Sequence, residues 1–353
     1  MKSLEESLEF NALYESMWKC KGGKMWKASV ARYVWHGIEE TLKLEEELAN
    51  GTYKPRKPHT FVLTYPKRRD CSSTHIRDRI VQRSLNDLII YPEMTKSFIW
   101  DNMACQIGKG TDKAMDRLNT FLHRYYINNG NCNEGWVAQF DIHGYYKHMK
   151  HSDARVCFLR HLEDRVVQLS MKWLERQYTN DVGFEPGSQM VQILGISLLD
   201  PLDHMIKERL GAKYYERYMD DFFIISNDRE MLEFCQQRII EELKGYSMEV
   251  NEDKTKIYPL KNGIKFLGFT YKLTDTGKVI RLINPQNVKH ERKKLYRMAA
   301  LVKSGRMTKR KFYECYNAWK AHASKGNTYK VITRMDQYVK LLWEDTQDES
   351  QKA

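Results

Sequence analysis

"GAKYYERYMDDFFIISNDRE", residues 211–230, sets two aspartates, Asp220 and Asp221, between an aromatic run and an aliphatic one. Adjacent carboxylates repel each other and lose hydration when a strand carries them inward. In a regular strand the two side chains would point to opposite faces. The flanking pieces, "AKYYERY" and "FFIIS", both have strand composition, which predicts a hairpin with "MDD" at its turn and both carboxylates near one point. Negative charge concentrated in this way is stable when divalent cations neutralise it, and a third carboxylate should then arrive from elsewhere. Asp141 qualifies, because it ends the strand "WVAQF" and is followed by Gly144 and two tyrosines.

Three carboxylates on adjacent strand ends can hold two Mg²⁺ ions. Such a pair aligns an attacking 3′-hydroxyl, stabilises the pentacovalent phosphate and eases departure of pyrophosphate. Mg²⁺ favours carboxylates plus substrate phosphates, which suits nucleotidyl transfer, with Mn²⁺ as a substitute ion. The bulk numbers agree. The chain has 353 residues, 58 Lys plus Arg against 46 Asp plus Glu, and a net charge of +12, which points to a polyanionic partner. At 42% its hydrophobic content is that of a soluble globular protein, and no apolar run is long enough to span a bilayer. The N-terminus, "MKSLEESLEF", is acidic and amphipathic, unlike a signal peptide, so cytoplasmic residence without membrane contact is expected. Cys20, Cys71, Cys105, Cys132, Cys157, Cys235 and Cys315 are scattered and form no C-x-x-C, which predicts reduced, mostly buried thiols. His143, His148 and His151 cluster without a cysteine pair, so no zinc site is expected there.

Along the chain, residues 1–50 read as helices ending at Gly51. "FVLTY" (61–65) is strand-like, "PKRRD" (66–70) is a basic turn, and a second extended piece completes a hairpin with a cationic tip. "RDRIVQRSLNDLIIY" has helical periodicity through Ile80, Val81, Leu85, Leu88 and Ile89, with Pro92 as its end. The "GKGT" piece lacks the earlier glycine of a Walker loop and instead leads into a helix from Thr111 or Asp112. Residues 151–180 read as helical, "GFEPGSQMVQILGISLLDPLDHMIKERL" as a loop continuing into helix, and "REMLEFCQQRIIEELKGY" as an amphipathic helix. From about 285 the chain is helical, strongly basic and interleaved with Tyr and Trp, ending in a polar, frayed tail.

These boxes, in this order over roughly residues 35–325, resemble reverse transcriptases. The resemblance implies an α+β right-hand polymerase, with an antiparallel palm sheet flanked by helices and a helical thumb. Its parts would be an N-terminal helical extension (1–55), fingers with part of the palm (56–134), palm (135–272), basic helical thumb (273–343) and flexible tail (344–353). "YMDD" resembles the catalytic box and "FDIHGYY" the box that supplies the first aspartate, so Asp141, Ile142, Asp220 and Asp221 are the implied metal-site residues. Tyr146, five residues after Asp141, resembles the steric gate, a ring that clashes with a 2′-hydroxyl and favours dNTPs. "FVLTYPKRRD" resembles the fingers hairpin that grips the triphosphate, through Arg69 with Lys67 as a second candidate. Pro186, Gly187 and Met219 complete the implied dNTP site. "EVNEDKTKI" resembles the later palm box, in which Lys254 protonates the leaving pyrophosphate. "FLGF" (266–269) resembles the primer grip, where Gly268 permits close backbone approach. Lys293, Lys294, Arg297, Lys309 and Arg310 lie in the helices that resemble a duplex-tracking thumb.

The loop "GFEPGSQMVQ" ends in Val191-Gln192 where most members have Ser-Pro. With "DNMACQIGKGTDKAMDRL", "LLDPLDHMIKERL" and "NAWKAHASKGNTYK", it resembles the bacterial enzymes of diversity-generating retroelements, which copy a template-repeat RNA with adenine-directed errors beside a small helical accessory protein. Pro186 and Val191 depart from that group's usual aliphatic residue and serine. Antiviral defence reverse transcriptases share the same boxes, and there a second subunit and DNA synthesis from a noncoding RNA, or without an ordinary template, would be implied. Either way the expected partners are template RNA, an RNA/DNA duplex and dNTPs. Beyond the thumb-like helices only a short tail follows, so no ribonuclease H or endonuclease module is expected in this sequence.

Overall fold

The computed structural model describes residues 2–64, 68–177, 181–184 and 187–344. The expected frayed tail therefore lies outside the described residues from 345 onward. The chain opens with helices α1 (Leu4–Leu8), α2 (Phe10–Lys21), α3 (Ala28–Trp35) and α4 (Gly37–Ala49). Val30, Tyr33, Gly37, Thr41 and Leu44 are buried at spacings of three and four, the inward stripe of a helical surface. Gly51, at φ +68°, takes the left-handed conformation that stops α4.

Strands β1 (His59–Leu63) and β2 (Arg69–Ser73) form an antiparallel hairpin with Leu63 opposite Arg69. All five residues of β1 are exposed, so this hairpin packs no core of its own. Helix α5 (Ile76–Leu85) buries Ile80, Val81 and Leu85 as expected. It does not stop at Pro92. The chain passes through a π-turn, Asn86–Ile90, into α6 (Tyr91–Met94), with Pro92 in that helix's first turn. There a missing N–H costs nothing, and the widened turn ahead of it leaves room for the ring.

After α7 (Thr111–Asn128) come β3 (Trp136–Asp141), α8 (Tyr145–His148), α9 (His151–Leu159), α10 (Asp164–Gln177), α11 (Gln189–Ser197) and α12 (Asp200–His204). Strands β4 (Tyr214–Tyr218) and β5 (Asp221–Ser226) follow, then α13 (Arg229–Gly245) and β6 (Lys256–Pro259). The four strands make a sheet of order β4-β5-β3-β6. Its first members carry a dense aromatic core. Phe140 and Phe222 stack at 4.8 Å, Tyr215 meets Phe222 edge-on at 6.0 Å, and all three are fully buried.

A second sheet, β7 (Ile264–Phe266), β8 (Phe269–Leu273) and β9 (Val279–Ile283), is antiparallel throughout. Residues 279–283 are thus extended within the stretch expected to be a helical thumb, and the helices begin at Pro285. They are α14 (Pro285–Lys303), α15 (Lys309–Ala323) and α16 (Tyr329–Glu344). The side chains of Asn284 and Thr308 cap the first two by accepting from Gln286 N–H and Lys311 N–H. Leu295, Met298, Phe312, Tyr316, Met335 and Val339 form their shared core.

Two compact units result. One takes the chain up to Ala114 with Ala138–Ile224 and Glu230–Lys256. The other takes Met115–Val137, Ile225–Arg229 and the chain from Ile257 onward. The mixed helices and sheets make an α+β fold. All seven cysteines are free thiols. Only Cys20, Cys157 and Cys235 are buried, because the other four fall in loops, in β2 and at the rim of α15.

The first unit contains a buried ion pair. Arg217, in the middle of β4, has no exposed surface, and neither does Asp203 in α12. The guanidinium Nε donates to Asp203 Oδ1 at 2.7 Å and Nη2 to its other oxygen. Nη2 also donates to the Ile196 carbonyl at 2.9 Å, and Nη1 to the Met219 carbonyl at 3.0 Å. Tyr215 adds its hydroxyl to Asp203. On the backbone side, Arg217 N–H donates to Asp101 C=O at 3.0 Å, and its own carbonyl accepts from Met103 N–H at 2.9 Å. Removing one partner strands the other charge without water. Arg217→Ala or Asp203→Ala should each cost about 3–5 kcal/mol in denaturant unfolding. An unchanged midpoint in either variant would show that the pair does not hold this unit together.

Candidate active site

Strands β4 and β5 are joined by the two residues Met219 and Asp220. Met219 sits at φ +61°, a left-handed conformation that costs a residue with a Cβ on the order of 1–2 kcal/mol. The hydrogen bond from Arg217 to the Met219 carbonyl holds it there. Asp221 is the first residue of β5, so the two carboxylates leave the chain at the turn, as "MDD" suggests.

Asp141 ends β3, the neighbour of β5 in the sheet. Its carbonyl accepts from Asn251 N–H at 2.7 Å and its N–H donates to Thr255 Oγ1 at 3.4 Å. Ile142 is buried and bridges Val250, and His143 N–H donates to the Glu249 carbonyl at 2.8 Å. The turn 249–255 therefore clamps the end of β3, and it also carries Lys254. The Lys254 ammonium donates to both oxygens of Asp141, at 2.8 and 2.9 Å. Gln139, two residues earlier on the same face of β3, donates Nε2 to Asp221 Oδ1 at 3.4 Å.

The three carboxylates share one electrostatic environment. Burial pushes the Asp221 carboxyl up to about 7, against the pull of Gln139, and the charges of Asp141 and Asp220 add to the rise. Asp220 is raised by burial and again by Asp141. Lys254 is held above its usual range, first by its hydrogen bonds to Asp141 and then by the charges of all three aspartates. One ammonium faces three carboxylates, so the cluster is short of positive charge. Among the described residues, no three His, Cys, Asp or Glu side chains stand ready-formed as a metal cage, and Lys254 occupies the Asp141 oxygens. The donor chemistry suits a hard divalent cation: carboxylate oxygens, with charge left to neutralise.

Tyr146 follows Gly144, whose φ of +55° starts the single turn α8. Its ring is partly buried, and its hydroxyl is buried with no hydrogen-bond partner among the described residues. Gly187, at φ +149°, backs onto β2, where an added Cβ would lie 3.0 Å from the Ser72 carbonyl. Arg69 opens β2, while Lys67 and Pro186 lie outside the described residues. Of the neighbouring histidines, His143 stacks on His148, and His151 on Phe184.

In the second unit Gly268, at φ +87°, shares a tight turn with Leu267, and a Cβ there would meet His322 Nε2 at 3.2 Å. Five basic residues were expected to face a nucleic acid. Lys293 and Arg297 do line an open groove on α14, with Lys289, Arg292, Tyr296 and Tyr338. Lys294 pairs with Glu291, Lys309 lies over the Trp343 ring, and Arg310, still largely exposed, pairs with Glu314. The sequence reading missed Lys289, which the four-residue spacing 289–293–297 would have found. It also missed Gln139, Asp203 and Arg217. An arginine inside an apolar strand, "YYERYM", was the available sign that a buried acid waits opposite.

The reverse transcriptase (RNA-dependent DNA polymerase) family profile matches residues 67–271, more than half of the chain. No curated protein sequence matches it. Among solved structures, the apo telomerase from Candida tropicalis truncated from its C-terminal domain aligns at a TM-score of 0.49 and 14% identity. That alignment covers 70% of this chain and 60% of that one. The telomerase from Candida albicans in complex with a TWJ fragment of telomeric RNA aligns at 0.48 and 11% identity, over 75% and 55%. The chain thus spans 60% or less of the length of these two telomerase chains.

A carboxyl whose folded-state value lies above its unfolded one binds its proton more tightly when folded. Its favourable contribution is present at low pH and fades as pH rises from the ordinary carboxylate range through about 7. Neutralising Asp221 as Asn should therefore raise the metal-free melting temperature at pH 8, on the order of 2–4 °C, and much less at pH 5. Calorimetry at the two pH values checks this. An equal change at both would show that Asp221 is not held protonated by its surroundings.

Proposed function

The chain belongs to the reverse transcriptase family, and we propose that it copies RNA into DNA by adding dNTPs to a primer 3′-hydroxyl. The observation that carries the proposal is the convergence of Asp141, Asp220 and Asp221: the charge of Asp141 raises the carboxyls of Asp220 and Asp221, Asp220 adds to the rise at Asp221, and Lys254 faces all three. Asp141, Asp220 and Asp221, with the backbone of Ile142, would hold two Mg²⁺ ions. When bound, the ions supply Lewis-acid activation of the 3′-hydroxyl and neutralise the triphosphate. The protein's own residues do the rest. The clamp at 249–255 holds Asp141 in place, and Arg217 holds the turn that carries Asp220 and Asp221. Lys254 stays protonated at neutral pH and is aimed at the cluster, which supports a role in passing a proton to the departing pyrophosphate. Tyr146 would stand under the sugar as the gate against ribonucleotides. Arg69 and Lys67 in the hairpin, with Pro186, Gly187 and Met219, would complete the nucleotide pocket. Gly268 and the α14 groove would meet the primer and the duplex, as parts of palm and thumb.

The finer reading is an enzyme of a bacterial diversity-generating retroelement working with a small helical accessory protein. Val191-Gln192, "DNMACQIGKGTDKAMDRL" and "NAWKAHASKGNTYK" support it. Sequencing the nucleic acid that copurifies with the protein tests that reading. A template-repeat RNA bears it out, and a noncoding RNA from a defence locus turns it to the antiviral alternative.

For the chemistry itself, Asp141→Asn and Asp220→Asn should each lower dNTP incorporation by at least about a thousandfold while template binding stays within about twofold. Retained incorporation in either variant would overturn the catalytic assignment.

A further inference from the structure

Helix α11 ends at Ser197, and α12 begins three residues later with Pro201 in its first turn. The carbonyls in the last turn of a helix lack a partner four residues ahead. Two of them, Gly195 and Ile196, are taken up by side chains from the site. The Tyr145 hydroxyl donates to the Gly195 carbonyl, and Arg217 Nη2 donates to the Ile196 carbonyl at 2.9 Å. The negative end of the helix dipole also favours the Arg217 cation. The end of α11 is therefore a common footing for the catalytic turn, reached through Arg217, and for the tyrosine pair, reached through Tyr145.

Gly195 does more than offer its carbonyl. An ideal Cβ built on it would lie 2.7 Å from the Tyr146 hydroxyl oxygen and 3.0 Å from both Cε1 and Cζ of that ring. No such contact is tolerated between a methyl and a packed ring. Gly195 is helical, with no left-handed backbone to explain it, so the reason for a glycine here is space for the phenol. The Tyr146 hydroxyl is buried and has no hydrogen-bond partner among the described residues. No polar contact there can re-seat the ring if its van der Waals seat is altered.

We propose that Gly195 is a specificity-determining positioning residue: it forms the seat of the Tyr146 phenol and so sets how far that ring stands from the nucleotide sugar. The proposal rests on the reading of Tyr146 as the sugar gate. A methyl at 195 evicts the phenol tip from α11 and pushes the ring toward the space that the incoming sugar uses. Selection between sugars then changes through a residue that touches no substrate.

The test uses the full chain on poly(rA)/oligo(dT), with steady-state kinetics for dTTP and UTP. Gly195→Ala should raise KM for dTTP about tenfold, with a smaller change in kcat, and shift the dTTP/UTP preference. The atom most deeply in conflict is the hydroxyl oxygen. In a Tyr146→Phe background the same Gly195→Ala change should therefore raise KM only about two- to threefold, a non-additivity expected of residues in contact. An effect of equal size in both backgrounds, or an equal loss for dTTP and UTP, would overturn the proposal. Melting temperatures of the four proteins give a second reading that needs no turnover: the drop on Gly195→Ala should be smaller in the Tyr146→Phe background. Tyr146→Ala separates the two ideas. If UTP use does not rise in that variant the gate reading fails, whereas a seat that fails shows only as lost coupling between 195 and 146.

Discussion

The Arg217–Asp203 ion pair sets the frame on which the site is built. The guanidinium is buried in the middle of a strand, and its donors are distributed among one carboxylate and two carbonyls from three segments: α12, α11 and the 219–220 turn. A flexible hydrocarbon side chain could fill the same volume, but it could not bind two orphaned carbonyls at fixed positions. The planar fork of arginine makes these contacts together with its carboxylate partner. Because both charges are fully desolvated, the arrangement is intolerant of losing either. That intolerance is what keeps Met219 in its left-handed conformation and the two aspartates beside it at the tip.

Above this footing the site is electrostatically frustrated. Burial and mutual repulsion raise Asp220 and Asp221, and the Lys254 ammonium, the Gln139 amide and the charge of Arg217 offset this only in part. Folding tolerates the strain because the sheet and its aromatic core are already specified by Phe140, Phe222 and Tyr215, which lie on the buried side. The tension is consistent with a site built around cations that arrive with the substrate. The Lys254 ammonium donates to both oxygens of Asp141, the acid that the other two face.

The same helix end serves two purposes. The last turn of α11 presents carbonyls that must be satisfied, and the chain satisfies them with Tyr145 and Arg217, which places the neighbours of both residues. Tyr146 and the catalytic turn are thus referred to one short piece of backbone, although they lie more than 70 positions apart in sequence. The second unit solves a different problem with simpler means: three helices around a hydrophobic core, the first two capped by side chains and one presenting Lys289, Lys293 and Arg297 along a groove.

Local sequence was enough to reveal most of the elements and which acids the centre brings together. Alternation around "MDD", the strand running into Asp141, and the helical periodicity of residues 30–44 and 285 onward are short-range patterns, and such patterns follow from backbone geometry and burial period. The meeting of the acids was legible too, because a two-residue hairpin turn places adjacent carboxylates near one point and Asp141 ends a strand beside it. Partnership emerged only in three dimensions. Nothing in the spacing of Arg217 and Asp203 says that they meet, that Gly195 leaves room for Tyr146, or that Lys294, Lys309 and Arg310 turn onto Glu291, Trp343 and Glu314. The helix continued past Pro92 for the same kind of reason, through a widened turn that no propensity announces. A residue's neighbours across the fold depend on how elements pack, and packing is a property of the whole chain rather than of any window within it.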